Sequence, residues 1–475
     1  MLGSFFWSFM EQGGSKVAQL LVQLVLARLL APDVFGVLAI LLVFTQIADS
    51  VAQSGMGTAL IQREGVDERD YSTAFWLSLS LAAVMLAVLL GVSPFVESFY
   101  GMPGLAAPLR LLSLVVVFNS ANSIQRSYLQ KTMNFRTLCI ANVVALAVAG
   151  ALGITAAALG LGVWALVVQA LAQSMVACIV LLRLTPWRPS FIFDVDVARE
   201  LFSYGWKICA TGILNTLYTS ISELILGRTC SSSDLGYYSQ GRKWPNAAIS
   251  MFSTALQNVF LPAFSSLQNN PGALRKSMKR FLGCGSFIIV PLSLLFSVVA
   301  EPAVTLLLGN AWSSCANVFR WTVFGNCILM FQLVNLRAYM ALGYSDVYLR
   351  LQTVKVILGI VVITFAALVL RSIDGVAFVS MLLSFVFIFG VDMCPAARLH
   401  GYGVFDQVRD MLPIYVAAVI ALGACMASMA LPLHGAPQLF LAMCVYAFAY
   451  IVASRLLHVA ALDDLIEIAS RIRNR

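Results

Sequence analysis

Apolar runs of about 20 residues, one after another along nearly the whole chain, restrict this sequence more than any other feature. About 20 helical residues, rising 1.5 Å each, cross a hydrocarbon core of about 30 Å. In lipid, only helices and closed barrels satisfy their own backbone hydrogen bonds. Such runs lie near 4–29, 34–57, 73–96, 106–127, 138–159, 162–182, 207–228, 235–262, 281–300, 315–341, 350–370, 375–395, 412–432 and 437–456. The expected fold is an all-α polytopic membrane protein of about fourteen transmembrane helices. Composition agrees: 11% of the 475 residues are charged and 60% hydrophobic, where a soluble domain carries roughly 25% charged residues.

The lysines and arginines set the expected topology. With the N-terminus inside, cytoplasmic flanks take Arg63, Arg69, Arg126, Lys131, Arg136, the basic run Arg275, Lys276, Lys279 and Arg280, Lys355, and the arginines of the C-terminal tail, so both termini are expected in the cytoplasm. Basic loops facing an anionic inner leaflet explain the net charge of +8 without nucleic acid. The start, MLGSFFWSFMEQGG, lacks a basic leader and reads as a retained first span. Ten cysteines without a CxxC pair and three scattered histidines point to no disulfide framework, metal or cofactor. Cys230 and Cys315 are the one pair whose loops could meet.

The chain repeats itself. ARLLAPDVFG at 27–36 and GRTCSSSDLG at 227–236 both place an arginine eight residues before a glycine, with an aspartate between. Shifting the first span by 200 positions sets Glu11, Ser15, Gln19 and Gln23 over Thr211, Asn215, Thr219 and Glu223, and in the second spans Gln46 and Gln53 over Asn246 and Ser253. Spacings of four put each first-span set on one helix face. Further on, Arg110 and Arg126 recur as Arg320 and Arg337, and both second arginines begin Arg-x-Tyr. Units of six spans enter from the same side, which makes a parallel repeat about an axis along the membrane normal. The expected organisation is an N-lobe over 1–182, a cytoplasmic linker over 183–206 with an interfacial amphipathic helix at VARELFSYGWK, a C-lobe over 207–400, and two terminal helices with a tail over 401–475.

Polar stripes inside apolar spans carry the functional reading. A charge at the bilayer centre costs roughly 2.5 to 3.5 kcal/mol on the most lenient scale, so such stripes should line a wet lumen. Lys243 shares a helix seam with Ser239 and Asn246, and Arg242 lies beside it; where these two cations stand, the first half has Leu42 and Val43. The expected substrate-binding residues are Lys243, Arg242, Lys16, Asn246, Gln19 and Asn215. The intramembrane carboxylates Glu11, Asp49 and Glu223 are the expected ion-coupling groups. Structural ion pairs, Glu11 with Lys16 or Glu223 with Arg242, are the plain alternative. At the repeated corners the plain reading is turn chemistry, with Arg28 capping the preceding helix.

The segments LARLLAPDVFGVLA, GTALIQRE, STAFWLSL, GVWALVVQ, LLLGNAW and the long block beginning LGYYSQGRKWP resemble the Wzx-type polysaccharide flippases of the MOP exporter superfamily, in the colanic acid exporter branch. The resemblance runs from the first span to about residue 400. It implies two six-helix lobes plus two terminal helices, MATE-like, and alternating access that carries an undecaprenyl-pyrophosphate-linked oligosaccharide across the bacterial inner membrane for exopolysaccharide, capsule or O-antigen. A polysaccharide polymerase and glycosyltransferases would be its neighbours in the pathway. Two rivals stay open. A MATE-type drug antiporter would favour acidic over basic lining. A membrane glycosyltransferase would use Asp194 and Asp196, a pair that more simply starts a helix with Asp194 as its N-cap. No nucleophile–base pair or phosphate loop is apparent, so a non-enzymatic transporter is expected.

Overall fold

The computed structural model describes residues 14–430 and 435–473, and every regular element among them is helical. Glu11 lies outside the described residues. Two compact units divide between Ser239 and Gln240.

The first unit opens with α1 (Ser15–Leu29) and α2 (Pro32–Gln53). Pro32 at the first helical position and Asp33 in the first turn suit a helix start. The left-handed residues Ser54 and Gly55, at φ 41° and 63°, break α2 from the short α3 (Met56–Gln62). Next come α4 (Glu68–Tyr100), started by a reciprocal capping box between Asp67 and Asp70, α5 (Ala106–Leu112), α6 (Leu114–Lys131), α7 (Phe135–Ala158) and α8 (Val163–Leu184).

An extended strap then leads to α9 (Val195–Thr229). Ser190 exchanges hydrogen bonds with Ser72, and its carbonyl accepts the Trp76 indole N–H at 2.8 Å. Trp187 is buried against Tyr71, Phe75 and Tyr128. The segment VARELFSYGWK is not a separate interfacial helix; it forms the first turns of the 35-residue α9. The reason is its start signal. Asp194 accepts the backbone N–H groups of Asp196 and Val197 at 2.8 and 3.3 Å, and nothing further along breaks the helix.

Helix α9 lies along α2 because it carries small residues where the two backbones meet. A Cβ on Gly205 would collide with the Ser54 carbonyl oxygen, and one on Gly227 with Ile40. The repeated corners meet in the same unit. A Cβ on Gly36 would run into the carbonyl oxygen of Ser232, and one on Gly236 into that of Pro32. Since 32 and 232, and 36 and 236, are equivalent in the repeat, the contact is self-complementary. Arg228 places its guanidinium over the Phe99 ring, 5.9 Å from its centre.

Helix α10 (Ser232–Ser265) leads into the second unit, which continues with α11 (Pro271–Val298), α12 (Ala300–Leu308), α13 (Cys315–Gly325), α14 (Leu329–Ala341) and α15 (Ser345–Leu370). Helix α16 (Ile373–Phe385) passes into a π-helical stretch, Val386–Asp392. Then follow α17 (Ala396–His400), α18 (Val404–Met429), α19 (Ala436–Leu456) and α20 (Ala460–Arg473). The core of this unit includes Phe260, Phe264, Met278, Phe331 and Tyr450. Two features recur in both halves. Pro94 and Pro291 lie inside α4 and α11. Arg110 donates Nε to Ser93 Oγ at 2.8 Å, and Arg320 donates Nε to the Ser297 carbonyl at 3.2 Å.

Ten helices among the described residues are long and apolar enough to cross a membrane. They match ten of the expected runs. The other four are the run at 4–29, only partly described; those at 207–228 and 235–262, which belong to helices of 35 and 34 residues whose polar stripes dilute their hydropathy; and that at 315–341, which a 3₁₀ turn at Asn326–Ile328 divides. None of the ten cysteines, Cys230 and Cys315 included, is in a disulfide.

Candidate functional site

The first unit encloses a polar cavity of about 620 Å³. Ser50 and Gln53 from the end of α2, Gly57 and Thr58 from α3, a polar face of α6, and Ile208, Cys209 and Gly212 from α9 form its walls. On α6 the lining residues are Asn119, Asn122, Ser123, Arg126, Ser127 and Gln130, at the spacing that places residues on one helix face.

Local backbone chemistry shapes this space. The left-handed pair Ser54–Gly55 turns α3 away from the axis of α2, a conformation glycine adopts without penalty. A Cβ on Gly57 would meet Ser127 Oγ, so the glycine lets α3 approach α6 without displacing that hydroxyl. Lys131 then holds the C-terminal end of α3, donating Nζ to the carbonyls of Leu60 at 2.8 Å and of Arg63. At that end Arg63 lies 3.2 Å from Glu200 and 3.7 Å from Asp70.

Arg126 supplies the fixed positive charge of the lining, and its Nη2 donates to Asn142 Oδ1 at 2.6 Å. Asn119 donates to Asp49 Oδ2 at 2.8 Å, while the buried Asp49 Oδ1 has no hydrogen-bond partner among the described residues. Asn122 donates to the Ser174 carbonyl at 3.1 Å and leaves its buried Oδ1 without one. The wall therefore offers a guanidinium suited to phosphate oxygens, with carboxamides and hydroxyls that can both donate and accept. That set matches a ligand combining an anion with many hydroxyl groups.

Of the residues expected from the sequence, Asp49 comes to the edge of this cavity through Asn119. Asn215 is an exposed α9 residue three positions past the lining Gly212, and Glu223 is half-buried farther along. Lys16, half-buried, and Gln19, exposed, lie on α1, which packs against α7 where Val22 meets Gly150. Gln23 on the same helix donates to Gln169 of α8 at 3.5 Å. The half-buried Arg242 and Lys243 and the exposed Asn246 belong to the second unit. Arg126, expected on a cytoplasmic flank, and Asn119 and Asn122 are not among the site residues expected from the sequence, although FNSANSIQR shows their polar face inside an otherwise apolar run.

A second group missed from sequence is buried in the second unit. Lys355 Nζ donates to Asp392 Oδ2 at 2.9 Å and lies equally close to Oδ1; the residues are 4% and 0% exposed. Gln332 donates to the same Oδ2 at 3.0 Å, and the Tyr339 hydroxyl to the Asp392 carbonyl at 2.7 Å. From sequence Lys355 is expected on a cytoplasmic flank; the fold turns it inward, because Asp392 ends the neighbouring helix facing it.

Residues 25–317 match the polysaccharide biosynthesis protein family, and the chain belongs to that family. It is 22% identical to the succinoglycan biosynthesis transport protein ExoT of Rhizobium meliloti over 67% of this chain and 64% of that protein. It is 25% identical to the lipopolysaccharide biosynthesis protein WzxC of Escherichia coli over 63% of this chain and 62% of that one. These matches thus span somewhat under two thirds of each relative. In fold the chain is similar to the lipid II flippase MurJ in an inward closed conformation, with a TM-score of 0.74 at 11% identity over 97% of this chain and all of that one. It is also similar to an inward-facing multidrug resistance MATE family transporter of the MOP superfamily, with a TM-score of 0.63 at 15% identity over 81% and 95% of the two chains. The chain therefore shares the helical multi-pass fold of these two proteins.

Proposed function

We propose that the protein is a flippase that moves an undecaprenyl-pyrophosphate-linked oligosaccharide across the bacterial inner membrane for surface polysaccharide synthesis. The observation that carries this reading is the first-unit cavity, with Arg126 set among carboxamides and hydroxyls in a unit built of membrane-spanning helices. The saccharide takes the hydrogen-bonding wall, the pyrophosphate takes a guanidinium or ammonium, and the polyprenyl chain stays in lipid. Family membership and the names of the two relatives support the same class. Both termini lie in the cytoplasm, and the basic end of α11 faces the inner leaflet. Lys243, Arg242, Lys16, Asn246, Gln19 and Asn215 remain proposed substrate contacts beside Arg126, and Glu11, Asp49 and Glu223 proposed coupling groups.

The drug-antiporter alternative fits less well, because the charged residue on the cavity wall is an arginine and cationic drugs would meet repulsion. A glycosyltransferase role for Asp194 fits poorly too. The N–H groups of Val197 and Asp196, and then Arg69 at 2.8 Å, hold its carboxyl below the usual range and occupy it at a helix start. The test is reconstitution in liposomes with the lipid-linked saccharide on one leaflet and detection of its sugar on the other. Transfer dependent on the protein is the expected result; protein-dependent transport of amphiphilic cations instead would transfer the chain to the antiporter class.

A further inference from the structure

We infer that Lys355 and Asp392 form a proton-specific coupling site in the second unit, in which an arriving proton competes with an internal ammonium for one carboxylate. The inference rests on reading the chain as an alternating-access transporter.

The geometry is unusual for a structural pair. Both groups sit within spans, and removing two charges from water costs several kcal/mol per ion even after relaxation. Intramembrane ionisable residues are rare for that reason and commonly mark ion pathways. Asp392 ends a π-helical turn, Val386–Asp392, a deviation that recurs at functional sites. The groups in contact with the pair are Gln332 and Tyr339 of α14, with Cys394 close to Tyr339. None of these is a second cation, so among the described residues Lys355 is the group that balances the carboxylate.

Contacts lead from the pair toward water. The Tyr339 ring stacks on His400, 5.6 Å between centres. His400 Nε2 lies 3.1 Å from Asn335 Oδ1, and Asn335 and Gln407 exchange carboxamide hydrogen bonds at 2.8 and 2.9 Å. Gln407 also donates to the Tyr402 carbonyl at 2.7 Å. The Tyr402 hydroxyl donates to Asp410, which pairs at 2.8 Å with the exposed Lys279. The buried pair is thus joined to a solvated end of the same unit.

Chemistry decides which ion the site accepts. Lys355 Nζ stands 2.9 Å from both carboxylate oxygens, the position that a coordinated metal cation would need. A sodium ion would have to expel a tethered ammonium from the position between the two oxygens before it could be coordinated. A proton needs no coordination shell. It bonds to one oxygen of Asp392, the carboxylate becomes a neutral acid, and Lys355 keeps its charge but loses its ionic partner. The restraint between α15 and the end of α16 then weakens, and deprotonation restores it.

Two measurements on the full-length protein in liposomes test this. Infrared difference spectra between pH 8 and pH 5 should show a carboxylic acid C=O band that is absent from Asp392→Asn and unmoved by sodium chloride. A wild-type spectrum lacking that band, or a band that sodium removes, overturns the proposal. The second measurement is sugar transfer driven by an imposed pH gradient, in wild type and in the double variant Lys355→Met with Asp392→Leu. Replacing a buried pair by apolar residues commonly leaves folding intact, so abundance should match wild type. The gradient stimulation should fall roughly tenfold, a usual size for coupling between sites, while downhill transfer persists. A double variant with the full wild-type gradient response makes the pair purely structural and also overturns the proposal. If wild type transfers no sugar at all, the flippase reading fails instead, and the infrared band still judges the proton site.

Discussion

Arg126 is where a single side chain bears most on function. A guanidinium on the wall of a 620 Å³ cavity, already oriented by Asn142 at 2.6 Å, can grip phosphate oxygens with its geometry prepared. Arg126→Gln should weaken binding of the pyrophosphate-linked saccharide by about 1.5 to 3 kcal/mol, the range for a charged hydrogen bond. Equilibrium binding to the purified variant checks this, and Arg126→Lys should recover part of the loss. His400 supports a second expectation, outside the spans. Burial pushes its imidazole down to about 4, and the Tyr402 N–H donates to its Nδ1 at 3.3 Å, so the folded protein holds it neutral. The unfolded chain would take up a proton near pH 6.5. Stability from this group is therefore present above that pH and lost as pH falls from about 6.5 to about 4, by roughly 3 kcal/mol at one pH unit per 1.36 kcal/mol. Thermal unfolding between pH 7 and pH 4 should show a shallower acid-side loss for His400→Gln than for wild type. Arg126 and Lys355 were visible in the sequence but not their roles. Arg126 read as a loop-flanking charge because its carboxamide neighbours count as mildly polar within an apolar run. Lys355 read as a membrane-edge lysine because the partner that makes it internal is 37 positions away.

At the scale of elements, the repeat was legible and its consequence for packing was not. Matching corners at 27–36 and 227–236 announced two equivalent hairpins, but only backbone approach reveals that they press on each other at Gly36 and Gly236. The break at Ser54–Gly55 was hidden for a different reason. Serine rarely adopts positive φ, so a chain reader continues the helix through it, whereas the packing of Gly205 against the Ser54 carbonyl favours the turn. The start of α9 was read as a cap but not as the first turn of a long helix, since its polar residues resemble an interfacial segment. The glycine contact makes the corners a candidate gate. Cysteines at Ala31 and Ser232, in a Cys230→Ser background, should crosslink under mild oxidation and stop sugar transfer, with reduction restoring it. Transfer that continues through complete crosslinking would mean that these corners never part. Gly36→Val should give the opposite signature: normal membrane abundance, no crosslink, and altered transfer, because a branched side chain cannot share that space with the Ser232 carbonyl.

Across the whole molecule, the charge distribution and the helix pattern constrain each other. In the second unit the basic end of α11 is tied by Arg275 to Asp406, Lys279 to Asp410, and Arg280 to Asp464 and Glu467. Such exposed pairs contribute little individually, and their joint effect is to hold the starts of α18 and α20 beside that end of α11. Apolar side chains such as Phe95, Phe365 and Phe448 stay outward on membrane-crossing helices. Ionic tethers at one end and an apolar belt along the sides are what a bundle fixed in depth requires. The proposed orientation puts that lysine- and arginine-rich end in the cytoplasm and expects the turn between α7 and α8 on the outer side. Cys394 and Cys444 are exposed and would be changed to serine first. In that background, Leu159→Cys should react with a membrane-impermeant maleimide added to intact cells whose outer membrane has been permeabilised. Lys276→Cys should react only after the inner membrane is opened. The reverse pattern would invert the protein in the membrane and place the Lys279 end of the Lys355–Asp392 route outside the cell.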